Sequence, residues 1–442
     1  MNNFVDEVIE VSDWALVRVK DGMTDYAKRT LSLLSTDPND KKGKTLYQYR
    51  TSSVPDHIYV PRALVGHLDD KLIGEWPKFS KEIKSKWTDS RPGQKETIEQ
   101  FISGLEKHKY GGILQAVTGA GKTVMALDIA CRLGQKTLII VPRTSLMEQW
   151  KQQIIKWTTA KEEDIGMVQG HIMRWSDKQF VVAMIHTLAQ KVDTIDRHFL
   201  GNFGTVIFDE CHVVGAETFS KVAPLFWCEH RIGLSATPRR SDGMDPVFYW
   251  HLGPILSRFT KLQAKARVRI LPYRGPETAH TGCVWGGKLN LGRYFNRVAK
   301  SAPRRELIKR IILKLAEGEH EILVLADRVG YLKDMKMMLI ESGVPEEKIG
   351  LLIGGVKQLD RKIILGTYGS AGMGVDIPRL SALVLATPRA DIEQAVGRVL
   401  RQGSPVVVDV VDMASGIMVG WSRKRKTFFR QITDEIQDKT LY

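Results

Sequence analysis

Residues 116–123 decide the fold, and they read Ala-Val-Thr-Gly-Ala-Gly-Lys-Thr. An apolar run at 112–117 predicts a strand before this stretch, and the pattern of 123–133, closed by a glycine, predicts a helix after it. Because such a turn exposes backbone N–H groups at a helix N-terminus, it favours a phosphate-binding loop over a chance strand–turn–helix. Lys122 would then reach the β- and γ-phosphates, and the Thr123 hydroxyl would hold Mg²⁺. The backbone around the phosphates would belong to Thr118, Gly119, Ala120 and Gly121.

A second chemical signal is the sequence Val-Ile-Phe-Asp-Glu-Cys-His at 206–212. Its three apolar residues predict a strand that ends in two carboxylates. Alone, an Asp-Glu pair indicates a solvated turn. After a phosphate-binding loop, however, Asp209 would face Mg²⁺ and Glu210 would hold the attacking water.

A third signal is the sequence Gln-Ala-Val-Gly-Arg-Val-Leu-Arg at 394–401. Arg398 and Arg401 share one face of the predicted helix, and Gln394 lies one turn before Arg398. By itself the pattern indicates a solvated basic face. In an ATPase, it favours arginines that stabilise the γ-phosphate in the transition state.

Strand and helix patterns alternate twice along the chain, before and after a basic segment. This alternation predicts an α/β protein with two tandem parallel-sheet domains and a small N-terminal α/β or α+β module. The predicted parts are 1–88, a small accessory module and candidate DNA-binding module; 89–257, the ATP-binding domain; 258–300, a basic connector or insert; and 301–442, the second domain.

The charge of the chain indicates a polyanionic partner. The net charge is +15, and between residues 258 and 314 fifteen Lys or Arg residues face only Glu277 and Glu306. Neutralising phosphates with such a surface provides most non-specific nucleic-acid affinity. Aromatic residues in this segment either stack on bases or pack in the core, and the sequence leaves both alternatives open. They are Phe259, Tyr273, Trp285, Tyr294 and Phe295.

Several classes of protein are disfavoured by composition. With 43% hydrophobic and 26% charged residues, the chain has the make-up of an ordinary globular protein. We find no apolar run long enough for a bilayer and no secretory signal, so we expect a cytoplasmic protein, in the host cytoplasm if a phage encodes it. The four cysteines form no C-x-x-C pair, which favours reduced thiols.

Taken together, these motifs resemble those of the superfamily 2 helicases over roughly residues 89–412. The resemblance implies two RecA-like domains with ATP in the cleft between them. It implies further nucleotide contacts from Arg91, Gln94, Gly374 and Asp376. It implies nucleic-acid backbone contacts from Pro142, Arg143, Thr187 and Thr367. Coupling of hydrolysis to movement is implied for His212, Ser235 and Thr237, with His212 near Gln394.

Finer similarity suggests a particular kind of DNA motor. Residues 237–243 and 251–254 are similar to the XPB-like branch of DNA helicases, and the short chain looks like phage helicases of the UvsW type. This similarity implies a monomeric enzyme that remodels single-stranded and branched DNA, with ATP and Mg²⁺ as cofactors. An RNA-remodelling ATPase and a non-catalytic DNA clamp with a helicase fold are the alternatives.

Overall fold

The computed structural model divides the chain into two compact units, Met1–Lys261 and Leu262–Tyr442. The described residues are 5–11, 14–20, 22–34, 45–64, 75–88, 91–108, 110–117, 119–212, 216–239, 242–259, 265–285, 288–372, 377, 379–390, 392–397, 399, 405–433 and 436–438.

A small antiparallel sheet begins the first unit. Its elements are β1 (Val5–Val11), β2 (Trp14–Val19), α1 (Thr24–Thr30), β3 (Ser32–Leu34), β4 (Thr45–Tyr47), β5 (Arg50–Thr51) and β6 (His57–Pro61). The described strands lie in the order β1-β2-β6-β5, and β3 pairs separately with β4. Alternate residues of β2, Ala15, Val17 and Val19, are buried, as expected for a sheet covered on one face. They share a core with Tyr110 and Trp250, so this module packs on the rest of the first unit.

The larger part of the first unit is a mostly parallel sheet covered by helices. Its elements are α2 (Gln94–His108), β7 (Gly111–Ala116), α3 (Lys122–Leu133), β8 (Thr137–Val141), α4 (Thr144–Trp157), β9 (Ile165–Gln169), β10 (Ile172–Arg174), β11 (Phe180–Met184), α5 (Ile185–Gln190), α6 (Arg197–Leu200), β12 (Thr205–Phe208), α7 (Ala216–Val222), β13 (His230–Ser235), α8 (Pro246–Leu252) and β14 (Ile255–Phe259). The described strands lie in the order β10-β9-β11-β8-β12-β13-β7-β14, and only the β10–β9 pair among them is antiparallel.

Strand β8 shows why this sheet is buried on both faces. Ile139 and Val141 belong to one apolar core, and Leu138 and Ile140 belong to another. Because successive side chains of a strand point to opposite faces, the two cores lie on opposite sides of the sheet. A continuous apolar run therefore becomes a central parallel strand here.

The second unit repeats this architecture. Its elements are β15 (Arg267–Tyr273), β16 (Val284–Trp285), β17 (Lys288–Leu289), α9 (Leu291–Lys300), α10 (Ala302–Glu317), β18 (Ile322–Ala326), α11 (Val329–Glu341), β19 (Ile349–Ile353), β20 (Val356–Lys357), β21 (Ile363–Thr367), α12 (Tyr368–Gly372), β22 (Ala382–Leu385), α13 (Glu393–Val396), β23 (Val406–Asp412), α14 (Gly416–Ile432) and β24 (Ile436–Asp438). The described strands of its main sheet lie in the order β20-β19-β21-β18-β22-β23-β15-β24. The predicted α/β architecture is thus confirmed. None of the helices in the described parts of the chain is long and apolar enough to span a membrane.

The basic segment 258–300 differs from the predicted connector. Strand β14 ends in the first sheet at Phe259, whereas β15 pairs with β23 and β24 in the second sheet. The division between the units falls after Lys261, so most of the segment belongs to the second unit.

The stacking alternative for its aromatic residues is wrong at three positions. Phe259, Tyr294 and Phe295 have exposed fractions of 4%, 0% and 6%, so they pack in apolar cores. The side chain of Trp285 lies outside the described residues.

Candidate functional site

Five neighbouring strands of the first sheet carry the predicted site residues at their carboxyl ends. The phosphate-binding loop follows β7, Ser235 ends β13, and Asp209 follows β12. Pro142 and Arg143 follow β8, and Thr187 lies in the helix after β11. Because these strands are parallel neighbours, all these residues lie along one edge of the sheet. That edge is where open α/β sheets bind ligands.

The loop after β7 has the backbone that phosphate binding requires. Gly119 and Gly121 have φ values of 83° and 85°, a region that favours glycine. Helix α3 begins at Lys122, whose Nζ lies 3.3 Å from the carbonyl oxygen of Ala116. Thr123 is the second residue of the helix. Free N–H groups at this helix N-terminus can bind an anion.

Arg91 and Gln94, which the resemblance assigns to the nucleotide, also hold the loop. The Gln94 side chain is buried, and its Nε2 donates to the carbonyl oxygen of Ala120 at 2.7 Å. Arg91 donates to the carbonyl oxygen of Gly119. The Trp87 indole donates in turn to Oε1 of Gln94 at 3.3 Å.

Gly121 leaves no room for a side chain in this arrangement. A Cβ atom there would lie 2.6 Å from Nε2 of Gln94. Substitution would therefore disturb both the left-handed turn and the glutamine that supports it.

The two carboxylates after β12 have different surroundings. Asp209 is 7% exposed, and its Oδ2 accepts a hydrogen bond of 2.8 Å from the indole of Trp150. Glu210 has a φ of 46°, and its Oε1 lies 3.5 Å from Nζ of Lys122. Burial, with the neighbouring Glu210 charge, raises the pKa of Asp209 to about 6. The lysine and the two carboxylates thus form one compact charged group.

His212 joins this group to the end of β13. Its Nδ1 lies 2.8 Å from the buried hydroxyl of Ser235 and 3.5 Å from Oε2 of Glu210. Thr237, two residues later, is partly buried, and its carbonyl oxygen accepts a hydrogen bond from the N–H of Arg239 at 2.7 Å. His212 therefore connects the Glu210 carboxylate directly with Ser235, the last residue of β13.

The predicted nucleic-acid residues differ in exposure. Arg143 is exposed at the N-terminus of α4 and Pro142 is partly buried. Thr187 is buried, and its hydroxyl accepts a hydrogen bond from the N–H of Gly170 at 3.0 Å. In the second unit, Thr367 donates through its hydroxyl to Oγ of Ser370 at 2.8 Å. Both threonine hydroxyls therefore also stabilise local turns.

Part of the predicted site lies outside the described residues. These positions are Thr118, Gly374, Asp376, Arg398 and Arg401, together with the side chain of Gln394. The backbone of Gln394 belongs to the short helix α13.

The residues of the first unit fit a magnesium ion that arrives with a nucleotide. Among the described residues, no group of three or more His, Cys, Asp or Glu side chains could hold a metal by itself. Mg²⁺ commonly binds through one or two carboxylates plus phosphates and water. Burial, and after it the Glu210 charge, raises the pKa of Asp209, and a bound cation would stabilise its ionised form. Asp209 and the Thr123 hydroxyl would hold this ion.

Trp150 and Trp87 are two supporting residues that the sequence analysis missed. Each is an indole donor to a predicted site residue, Asp209 and Gln94 respectively. Trp150 lies in an amphipathic helix, where tryptophan ordinarily predicts core packing, and Trp87 lies in the connector before α2, so only their spatial neighbours reveal these roles.

Comparisons with known proteins agree with this geometry. The family described as "Type III restriction enzyme, res subunit" matches residues 88–240. The chain is 30% identical over 371 residues to the "Putative ATP-dependent RNA helicase L396" of Acanthamoeba polyphaga mimivirus, covering 78% of this chain and 69% of that protein. It is 27% identical over 426 residues to the "Probable helicase D10" of Escherichia phage T5, covering 91% and 90%.

A solved structure supports the fold. Dbp5 of S. cerevisiae bound to RNA and ADP BeF3 has a TM-score of 0.54 and 13% identity, covering 78% of this chain and 89% of that one. Two mostly parallel sheets, with a phosphate-binding loop and paired carboxylates in the first unit, are expected of a nucleotide-dependent protein of the helicase kind. Within that class, the chain belongs to the superfamily 2 helicases, and membership of this family implies ATP hydrolysis.

Proposed function

We propose that the chain is an ATP-dependent DNA helicase or translocase that remodels branched DNA, including forks and four-way junctions, in replication, recombination or repair. The observation that supports the ATPase part best is the 3.5 Å distance between Nζ of Lys122 and Oε1 of Glu210, beside the buried Asp209. These are a phosphate-binding cation, a base and a metal-binding carboxylate at one edge of a sheet.

Hydrolysis is proposed to proceed by in-line attack of water on the γ-phosphate. Glu210 would orient this water and accept its proton, while Lys122 would stabilise the phosphate oxygens. Mg²⁺, when bound, would neutralise charge on the β- and γ-phosphates. Gln394, Arg398 and Arg401 are the residues that the second unit would add, by resemblance to the family. Removing such an arginine lowers the rate by roughly 10³–10⁵-fold in other phosphoryl-transfer enzymes.

The choice of DNA rests on the XPB-like sequence at 237–243 and 251–254 and on the basic character of the chain. Contacts would be mostly to phosphates through Arg143 and neighbouring backbone, and therefore indifferent to base sequence. We propose a monomer that alternates its grip on the strand as ATP is bound and hydrolysed.

A second candidate function is remodelling of RNA by the same ATPase. The mimivirus relative, 30% identical to this chain, is named a putative ATP-dependent RNA helicase. The sequence of this chain contains no RNA-binding motif that we recognise. The nature of the stimulating nucleic acid separates the two candidates.

A non-catalytic DNA clamp is less well supported. Glu210 is held in a left-handed backbone conformation that costs energy for a non-glycine residue. A protein that only bound DNA would gain nothing from a strained carboxylate beside Lys122.

The test is a steady-state ATPase and unwinding assay with matched substrates. Single-stranded DNA, a DNA fork, a four-way junction, plain duplex and an RNA fork would be compared at equal nucleotide concentration. We expect the strongest stimulation and strand rearrangement with the fork or the junction. Greater stimulation by the RNA fork would replace the DNA proposal with the RNA one, and absence of stimulated turnover would favour the clamp.

A further inference from the structure

The second unit carries a cationic helix face that none of the family-derived positions includes. Helix α9 buries Tyr294, Phe295 and Val298 in an apolar core. Its opposite side exposes Arg293 and Lys300. These two residues are seven positions apart, which is two helical turns or roughly 10 Å along one face.

This helix lies at the carboxyl edge of the second sheet. Arg328, two residues after β18, donates through Nε to Oδ1 of Asn296 at 2.8 Å and through Nη2 to the carbonyl oxygen of Gly292 at 2.9 Å. The neighbouring parallel strand β21 ends at Thr367. Both strands point their carboxyl ends to this edge, so α9 is fixed beside the edge that carries Thr367.

The exposed charges of this segment are not neutralised locally. The acid Glu277 is directed inward and accepts hydrogen bonds from Tyr273 and from Ser301. Within the part of the chain that the structure describes, neither Arg293 nor Lys300 lies within ion-pairing distance of a carboxylate. Arg274, which directly follows β15, is likewise exposed without such a partner there.

Helix α10 shows the contrast. Its Lys309 and Arg310 both pair with Glu306, at 2.8 and 3.1 Å, and Arg305 pairs with Asp334 at 3.1 Å. Arg293 and Lys300 thus differ from Lys309 and Arg310 in having no carboxylate partner among the described residues, and the two pairs form a matched comparison.

We propose that Arg293 and Lys300 form an α9 surface that binds nucleic-acid phosphates at the sheet edge that carries Thr367. This inference rests on the proposed function. It adds a second nucleic-acid contact surface to the second unit, besides the predicted contact at Thr367. The partner is a phosphate backbone because the surface offers two exposed positive charges spaced along one helix face. A span of roughly 10 Å covers about three phosphates of one strand along the axis of a duplex.

The test compares two double variants of the full chain that each lose two positive charges. One is Arg293→Gln with Lys300→Gln, and the control is Lys309→Gln with Arg310→Gln on α10. Equilibrium binding of a DNA fork is measured across salt concentrations. Each lost phosphate contact reduces the magnitude of the slope of log association constant against log salt concentration by about 0.9. The slope of the α9 variant should therefore be smaller by about 1.8, and the slope of the α10 control should be nearly unchanged.

The outcomes separate this inference from the proposed function. If the unaltered chain binds no nucleic acid and shows no stimulated hydrolysis, the proposed function fails and the α9 surface fails with it. If the unaltered chain binds and is stimulated, but the α9 variant keeps the full salt slope or matches the α10 control, only the α9 proposal is overturned. The melting temperatures of both variants should match that of the unaltered chain. A smaller salt slope then reflects a lost phosphate contact and not unfolding.

Discussion

Replacing Trp150 by Phe should weaken both the folding of the first unit and its use of Mg²⁺. Trp150 is 1% exposed, and its indole donates to Oδ2 of Asp209 at 2.8 Å. A hydrogen bond to a charged acceptor contributes about 1.5–3 kcal/mol, and the smaller ring leaves a cavity that costs about 1–2 kcal/mol more. We therefore expect the free energy of unfolding of the first unit to fall by about 2.5–5 kcal/mol.

The same substitution should alter the protonation of Asp209. The indole favours the ionised carboxylate, so its removal adds to the burial and the Glu210 charge that already raise the pKa to about 6. A loss of about 1.5–3 kcal/mol of hydrogen-bond energy corresponds to a further rise of the Asp209 pKa by roughly one to two pH units. Because a protonated carboxyl group binds Mg²⁺ poorly, the Mg²⁺ concentration for half-maximal ATPase should rise, and rise more at pH 6.5 than at pH 8.

Trp157 provides a matched control on the same helix. Its indole donates over the same 2.8 Å, but to the neutral Oε1 of Gln153, and both side chains are partly exposed. Trp157→Phe should cost only about 0.5–1.5 kcal/mol and leave the Mg²⁺ dependence unchanged. Urea unfolding of both tryptophan variants, of Asp209→Asn alone, and of each tryptophan variant combined with Asp209→Asn gives the coupling energies.

The reasoning would be refuted by a small coupling energy. If Trp150→Phe and Asp209→Asn were additive within about 0.5 kcal/mol, the hydrogen bond would contribute nothing specific and only ring volume would matter. An Mg²⁺ dependence that moved equally at both pH values would likewise remove the link to protonation.

Three further predictions concern charged groups. Lys122→Ala should abolish ATP hydrolysis while leaving DNA affinity largely intact, as measured by turnover and fork binding; normal hydrolysis would exclude the phosphate-binding assignment. Burial lowers the pKa of His251 to about 3. Below about pH 6.5 the unfolded chain therefore binds a proton at this histidine that the folded chain does not bind. The free energy of unfolding should fall by up to about 1.4 kcal/mol per pH unit between about pH 6.5 and 5. His251→Gln should remove that part of the slope in urea unfolding, and an unchanged slope would contradict it. Arg304 and Asp412 are both fully buried 2.7 Å apart, so Arg304→Met alone should cost about 3–5 kcal/mol. Adding Asp412→Leu should recover much of this in denaturant unfolding, whereas simple additivity would argue against a coupled pair.

The two parallel sheets could be predicted because their central strands are continuous apolar runs. Strand β15 escaped prediction because Arg267 and Arg269 alternate with Val268 and Ile270, which gave the segment the character of a basic connector. In the structure the two apolar residues are buried and Arg267 is exposed. The difference arises because successive residues of β15 point to opposite faces of the sheet, and the face that carries Val268 and Ile270 packs in an apolar core.

The site was predictable where its chemistry is local in sequence. A glycine-rich turn or an Asp-Glu pair can be recognised in the sequence because it directly follows a predicted strand. Since parallel strands end at the same edge of the sheet, the position of such a motif at that edge follows from the topology. The supporting contacts depend on distant parts of the chain. Trp150 precedes Asp209 by 59 residues, and Arg304 precedes Asp412 by 108, so only the packed sheet brings each pair together.

Helix α4 connects a predicted nucleic-acid contact, Arg143, with the residue that donates to Asp209, Trp150. It follows β8, which lies between β11, the strand leading to Thr187, and β12, the strand leading to Asp209. Exposed Arg143 stands at its N-terminus, and Trp150 lies two turns later, roughly 10 Å along the axis. A helix of 14 residues packed on the sheet moves as a rigid body rather than bending between these points. If a nucleic-acid strand binds Arg143 as proposed, a displacement of this helix would also move the Trp150 indole that donates to Asp209.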